Sequence, residues 1–276
     1  MHLLRVLAVV ASAALVASVN SNADEDAAAA MAKALQDPLA SIKMLATDNT
    51  IAFDSGEDDG DTNYNFQLQP VYSISSERLN YIPRAVIPII GLEPGAVEPP
   101  LGPNPAPDVD STWGISDTIV QMFISPKTDA SVKWGIGPQV ALKTRTSDRV
   151  AGPGWGAGLA GVVVGNIGTN WSYAGIMMHL WGDEDDFNQT SVQPMLYYNF
   201  DAVPGMALSY NNTITYNWEA DSGDKWTVPL GLTLSRTWVL SGGTGFDLGV
   251  GYYFLVESPE AAPDSQLKFS LTWVFN

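Results

Sequence analysis

Few side chains in this chain are of types that do chemistry, and their spacing keeps them apart. Cysteine is absent, which removes thiolate nucleophiles, thiolate metal ligands and disulfides. Of the two histidines, His2 precedes an apolar N-terminal run, and His179 has Met177 and Trp181 as its same-face neighbours on a strand. A hydrolytic site needs a nucleophile, a base and a group that orients the base. No serine stands close to His179 in the chain, so no catalytic residue and no enzymatic activity are expected. The densest acidic run, Asp183 to Asp186, carries the oxygen donors that hard divalent cations prefer. Neither it nor the Asp- and Gly-rich stretch 54–62 has the register of a calcium loop. The glycine-rich stretch 152–168 lacks the Lys-Ser/Thr ending of a phosphate loop. No cofactor and no metal are therefore expected.

What remains is a scatter of amides, hydroxyls and charges that matter only if the backbone aligns them, and the backbone pattern does so. Tyr64, Phe66, Leu68, Pro70, Tyr72 and Ile74 alternate with Asn65, Gln67, Gln69 and Ser73. Val132, Trp134, Ile136, Pro138 and Val140 alternate with Lys133, Gly135, Gly137 and Gln139, and Leu267 to Phe275 alternates in the same way. A period of two places one set on each face of a strand. Such runs predict twelve strands, at about 45–54, 64–74, 78–89, 112–124, 131–143, 154–166, 170–181, 188–200, 205–218, 225–237, 245–256 and 265–275. Most have the length that a tilted membrane strand requires.

Composition says where such a sheet belongs. The 276 residues are 46% hydrophobic and only 16% charged, too apolar for a disordered acidic chain. A net charge of −17 argues against a nucleic-acid partner, which needs a basic surface. Residues 1–23 read as an export signal: Arg5, an apolar run from Val6 to Val19, and small residues before Asp24. Residues 24–44 read as a separate segment, with a short helix at Ala27 to Gln36 stopped by Asp37-Pro38, lying in the periplasm or inserted in a lumen. An exported, aromatic-rich chain without a spanning helix is either a secreted β-sandwich or an outer-membrane β-barrel.

Charge and tryptophan favour the barrel, over residues 45–276. With both termini periplasmic, the alternate connections near 55–63, 90–111, 144–153, 182–187, 219–224 and 257–264 face outward and hold nineteen of the thirty acidic residues. The short connections between them hold Glu77, Asp129 and Asp201. The tryptophans fall into two bands at strand ends: Trp113, Trp155, Trp181, Trp218 and Trp226 toward the outside, and Trp134, Trp171, Trp238 and Trp273 toward the periplasm. Aromatic girdles at the headgroup level predict this arrangement. The expected architecture is all-β, an antiparallel up-and-down barrel of about twelve strands in the bacterial outer membrane. Lipid and lipopolysaccharide are its expected surroundings, and the barrel-assembly machinery is an expected partner.

Several strings occur in an order that resembles a family: Asn80-Tyr81-Ile82-Pro83-Arg84, Gly114-Ile115-Ser116-Asp117, Trp134-Gly135-Ile136-Gly137-Pro138, Asn188-Gln189-Thr190-Ser191 and Lys225-Trp226-Thr227-Val228-Pro229. The set is similar to bacterial outer-membrane "transporter" proteins often mislabelled neuromedin U, related to outer-membrane components of phenol meta-pathway clusters. The resemblance implies an outer-membrane barrel that transports small molecules.

If the apolar faces meet lipid, the opposite faces line the interior. The candidate lumenal residues are Arg84, Lys133, Gln139, Lys143, Gln189, Gln193, Asn211, Asp247 and Lys268, with Gln67, Gln69, Asn199, Thr213, Asn217 and Thr227. The basic members outnumber Asp247, so the expected wall is mildly cationic beneath an acidic mouth. The expected function is a channel that passes an unidentified small solute through a narrow polar lumen, because rings of charge set selectivity. The alternative is a structural barrel filled by its own side chains.

Overall fold

The computed structural model describes residues 22–55, 61–93, 111–184, 186–240, 243–260 and 262–275. Most of the expected export signal therefore lies outside the described residues. A helix, α1 (Asn22–Leu35), leads into a closed antiparallel barrel of twelve staves. They are β1 (Lys43–Ser55), β2 (Asp61–Tyr72, resuming at Ile74–Ser75), β3 (Leu79–Leu92), β4 (Thr112–Ile115 and Thr118–Pro126), β5 (Val132–Leu142) and β6 (Gly156–Ile167). The wall continues with β7 (Trp171–Gly182), β8 (Asn188–Asn199), β9 (Met206–Asn211 and Ile214–Asn217), β10 (Trp226–Val239), β11 (Gly245–Glu257) and β12 (Ser265–Phe275). Each stave pairs with its chain neighbours, and β12 pairs with β1 from Lys43↔Phe275 to Phe53↔Ser265, which closes the wall. Closure leaves no free sheet edge, the condition for spanning hydrocarbon with strands. Among the described residues no helix is long and apolar enough to cross a membrane.

The expected strand order is the observed one, with three staves interrupted. β2 pauses at Ser73, β4 at Ser116–Asp117 and β9 at Asn212–Thr213. The interruption in β9 matters most. β9 pairs with β10 at Met206↔Arg236 to Ser209↔Thr233 and again at Thr215↔Thr227 and Tyr216↔Trp226. Between these two blocks the ladder is open. Proline contributes, since Pro194 on β8 and Pro229 on β10 flank the break and donate no ladder hydrogen bond. Tyr253 of β11 spans it from inside: fully buried, it shares a hydrogen bond with Thr233 Oγ1 at 2.9 Å and accepts one from the Asn211 amide at 3.2 Å.

Burial runs opposite to that of a soluble protein. Trp134, Ile136, Leu159, Met177, Leu230 and Phe254 are exposed on the outer face, whereas Gln69, Gln121, Gln139, Gln189, Gln193 and Lys268 are buried on the inner one. Large apolar residues exposed together and polar ones buried together are the informative departure from ordinary packing. The inner wall is also close-packed in places. A side chain at Gly137 would collide with the Met122 carbonyl of the neighbouring stave, which accounts for glycine there.

Candidate functional site: the lumen and its two mouths

Among the described residues the barrel interior has a cavity of about 250 Å³ toward the long-loop end and another of about 170 Å³ toward the short-turn end. Both are lined by Asp48, Gln69, Arg84, Gln193 and Lys268. These five side chains come from five different staves and form the waist where the chambers meet. Lys268 Nζ lies 3.0 Å from Asp48 Oδ2, and Arg84 Nη2 donates to Gln69 Oε1 at 2.7 Å. Gln69 in turn donates to Gln67 Oε1 at 2.8 Å, which continues a line of amides up the wall. Charged partners inside a wall of low dielectric interact more strongly than on a surface, so this waist is held in place by its own hydrogen bonds.

Both chambers mix polar and apolar groups. The loop-end chamber carries amides and hydroxyls, among them Asn63, Asn65, Gln189, Ser191, Thr213 and Thr227, beside Val86, Ile119, Met178 and Leu255. The turn-end chamber carries Asn211 and Asp247, whose carboxylate accepts the Thr237 hydroxyl at 2.7 Å, but much of its wall is apolar. Val71, Ile82, Phe123, Val162, Val164, Ile176 and Met195 form one buried cluster there with Leu39. The expectation of a polar lumen is corrected by this cluster, which adds an apolar stretch to the wall. Where both faces of a stave are apolar, as in Val162-Val163-Val164, one set faces out and the other faces the lumen.

Each candidate lumenal residue has a definite place. Arg84, Gln193 and Lys268 stand at the waist, Gln189 above it, and Asn211 and Asp247 below it. Gln139 is buried in the wall, accepting from Gln121 at 3.0 Å and donating to the His179 carbonyl at 2.9 Å. Lys133 and Lys143 belong to the two rims. Lys133 Nζ is 2.6 Å from Asp37 Oδ2, at the turn end. Lys143 Nζ is 2.7 Å from Glu184 Oε2, beyond the loop end of β5. Asp37 and Asp48 were not among the expected lumenal residues. Asp48 is the lone acid between Met44 and Phe53, but Met44-Leu45-Ala46 and Ile51-Ala52-Phe53 put apolar residues on both faces and hide the alternation that would place it.

The turn-end mouth is covered by α1 and the segment after it. Ala28, Ala32 and Leu39 are buried against the barrel, and Leu39 enters the apolar cluster. Gln36 and Asn199 exchange hydrogen bonds at 2.8 and 3.1 Å, and Lys33 donates to the Thr169 carbonyl at 2.7 Å. The helix stops where Pro38 follows Asp37, and the Asp37 carboxylate caps the turn by accepting the Leu39 amide at 2.8 Å.

The loop-end mouth is organised around Asp117, at the break in β4. Its side chain is fully buried and accepts from the Arg145 guanidinium (Nη2 at 2.7 Å, Nε at 3.2 Å), from the Arg145 amide at 3.1 Å and from the Gly154 amide at 2.7 Å. Arg145 also lies 3.6 Å from Glu184. Hydrogen bonding to Lys143, with Arg145 nearby, holds the Glu184 carboxyl below the ordinary carboxylate range, and the same bond raises Lys143. The Asp183 side chain accepts the Trp155 amide at 2.8 Å. The acidic run is thus used within the loop network, Asp185 lying outside the described residues. Among the described residues no three metal-ligating side chains cluster.

The tryptophans mark two levels of the outer wall. Trp113, Trp155, Trp181 and Trp226 are roughly half exposed at the loop end, as are Trp134, Trp171 and Trp273 at the turn end. Trp218 joins the first level, donating from Nε1 to Thr190 Oγ1 at 2.9 Å, and Trp238 joins the second, stacked on Phe246 at 4.9 Å. His179 belongs to this outer face: its Nδ1 is 2.7 Å from the same Thr190 hydroxyl and its ring packs against Trp181 at 4.1 Å.

No family model and no curated protein matches the chain. Among solved structures, an outer membrane channel from Pseudomonas putida F1 is similar, with a TM-score of 0.58 at 13% identity over 85% of this chain and 96% of that one. The β-domain of the Bordetella autotransporter BrkA aligns over 85% of this chain and 100% of its own, at 8% identity and a TM-score of 0.46. Pseudomonas aeruginosa OprD aligns over 85% and 94% at 9% identity, with a TM-score of 0.32. The likeness to the P. putida channel shows a fold in common with outer-membrane channels. The narrower resemblance to the transporter family read from local strings is met by fold alone.

Proposed function

We propose that the protein is an outer-membrane channel through which small solutes pass along the barrel axis, with the long loops outside and the short turns and α1 in the periplasm. The observation that carries this reading is the pair of chambers joined at a five-residue waist inside a wall whose outer face is apolar. Lipid would meet the belt between the two tryptophan levels, and the acidic loops would stand among lipopolysaccharide headgroups, where a divalent ion can bridge carboxylate to phosphate. Planar-bilayer recording of the purified protein tests the reading. Discrete conductance steps that fall on Arg84→Trp are expected, and the absence of steps in any salt would overturn it.

A second reading is a filled, structural barrel. Leu39 seated in the apolar cluster and α1 over the turn-end mouth favour it. Removing residues 24–41 separates the two, because a barrel filled by its own wall stays silent when the segment is gone.

A further inference from the structure

The charges of the lumen are not all neutralised within it. Lys268 is paired with Asp48, Lys133 with Asp37, and Lys143 and Arg145 with Glu184 and Asp117. Arg84 forms no ion pair among the described residues, and its one described hydrogen bond goes to the neutral amide of Gln69. A guanidinium has five donors in a planar fork, a geometry that matches a carboxylate with two parallel hydrogen bonds. Arg84 therefore retains donor capacity at the waist, where the one nearby carboxylate, Asp48, is shared with Lys268. Asp247, the other lumenal acid, is engaged by Thr237 and stands four staves around the wall.

What Arg84 shares the turn-end chamber with narrows the choice of ligand. Ile82, two residues along the same face of β3, lines it with Phe123, Ile176 and Met195. The chamber measures about 170 Å³. An apolar cavity of about 150 Å³ holds a benzene ring. An inorganic anion would satisfy the guanidinium and leave this wall unused, and a neutral hydrocarbon would do the reverse.

We propose that Arg84 is an anion subsite of the lumen and that, with the wall of Ile82, Phe123, Ile176 and Met195, it selects amphipathic monocarboxylates whose apolar body is about the size of one ring. The proposal rests on the reading of the lumen as a solute passage. The ring lies on the apolar wall while the carboxylate takes the Arg84 fork at the waist.

Calorimetric titration of the detergent-purified full chain with phenylacetate, phenylacetamide and acetate tests this directly. Phenylacetate is expected to bind at least about tenfold more tightly than either the uncharged or the ringless probe, the gain typical of one charge-assisted bidentate contact. Arg84→Gln should abolish the preference for phenylacetate over phenylacetamide, and Phe123→Ala should weaken the binding of both. Equal binding of phenylacetate and phenylacetamide to the wild type, or no phenylacetate binding, overturns the proposal even if no variant folds. So does a preference that survives Arg84→Gln. Bilayer recording of the same preparation keeps the two readings apart: conductance without a carboxylate preference sinks the subsite alone, and a carboxylate preference without conductance sinks the channel alone.

Discussion

Lys133 Nζ and Asp37 Oδ2 lie 2.6 Å apart, joining the segment after α1 to the inner rim of β5. Lys133 is partly open to solvent, so the pair contributes on the order of 1 kcal/mol or less. Leu39 and the Gln36–Asn199 exchange must hold the rest of the segment in place. Asp37→Asn alone should leave the barrel intact and produce brief openings in bilayer recordings. Combined with Leu39→Ser it should produce sustained ones. Unchanged currents in the double variant would show that the segment does not obstruct the passage.

The Asp117–Arg145 pair calls for a larger effect. The Asp117 side chain is fully buried, and removing its carboxylate takes the closest ionic partner from Arg145, which keeps the Gly152 carbonyl and Glu184, and the acceptor from the Arg145 and Gly154 amides. Breaking a buried pair on one side costs about 3–5 kcal/mol. Asp117→Ala is expected to loosen the loop 143–155 and expose it to protease while the staves persist. A digestion pattern identical to the wild type would contradict the central role given to Asp117.

The rim ion pair Lys143–Glu184 sets a pH window. Glu184 titrates below its ordinary 4.5, so its contribution is present above that value and is lost as pH falls through the lowered one. Lys143 titrates above its ordinary 10.5, so its contribution is present below that value and is lost as pH rises through the raised one. Trp155, anchored by Asp183 beside this pair, reports on the loop. Its fluorescence should stay level between about pH 4.5 and 10.5 and change outside that range. Glu184→Gln should flatten the acid limb.

Tyr253 spans the opening between β9 and β10 with the hydrogen bonds of its hydroxyl and with its ring against Tyr210. Tyr253→Phe keeps the ring and leaves Thr233 and the Asn211 amide short of a partner, a loss of about 1–3 kcal/mol. The folded band on unheated gels should melt at lower temperature than the wild type, and more so than for Tyr252→Phe, whose hydroxyl bonds Ser265 away from the break.

The staves were legible because alternation is strong wherever the outward face is apolar and the inward face carries amides. Val132 to Val140 and Leu267 to Phe275 read directly from sequence for that reason. The apolar lining of the lumen was not legible. Val162-Val163-Val164 and Met122-Phe123 put apolar residues on both faces, and a period-two signal vanishes when the faces are alike. The pairings that build the site are also long-range. Lys133 meets Asp37 across 96 positions, and nothing local announces it. The break in β9 carried a local hint in Asn211-Asn212, residues that favour turns over strands.

The waist is made of side chains alone, one from each of five staves, while the ladder that holds the barrel together runs through the backbone. The chemistry of the waist can therefore drift by point substitution at Asp48, Gln69, Arg84, Gln193 or Lys268 without re-registering a single stave. On the channel reading, permeability and architecture are separately heritable properties.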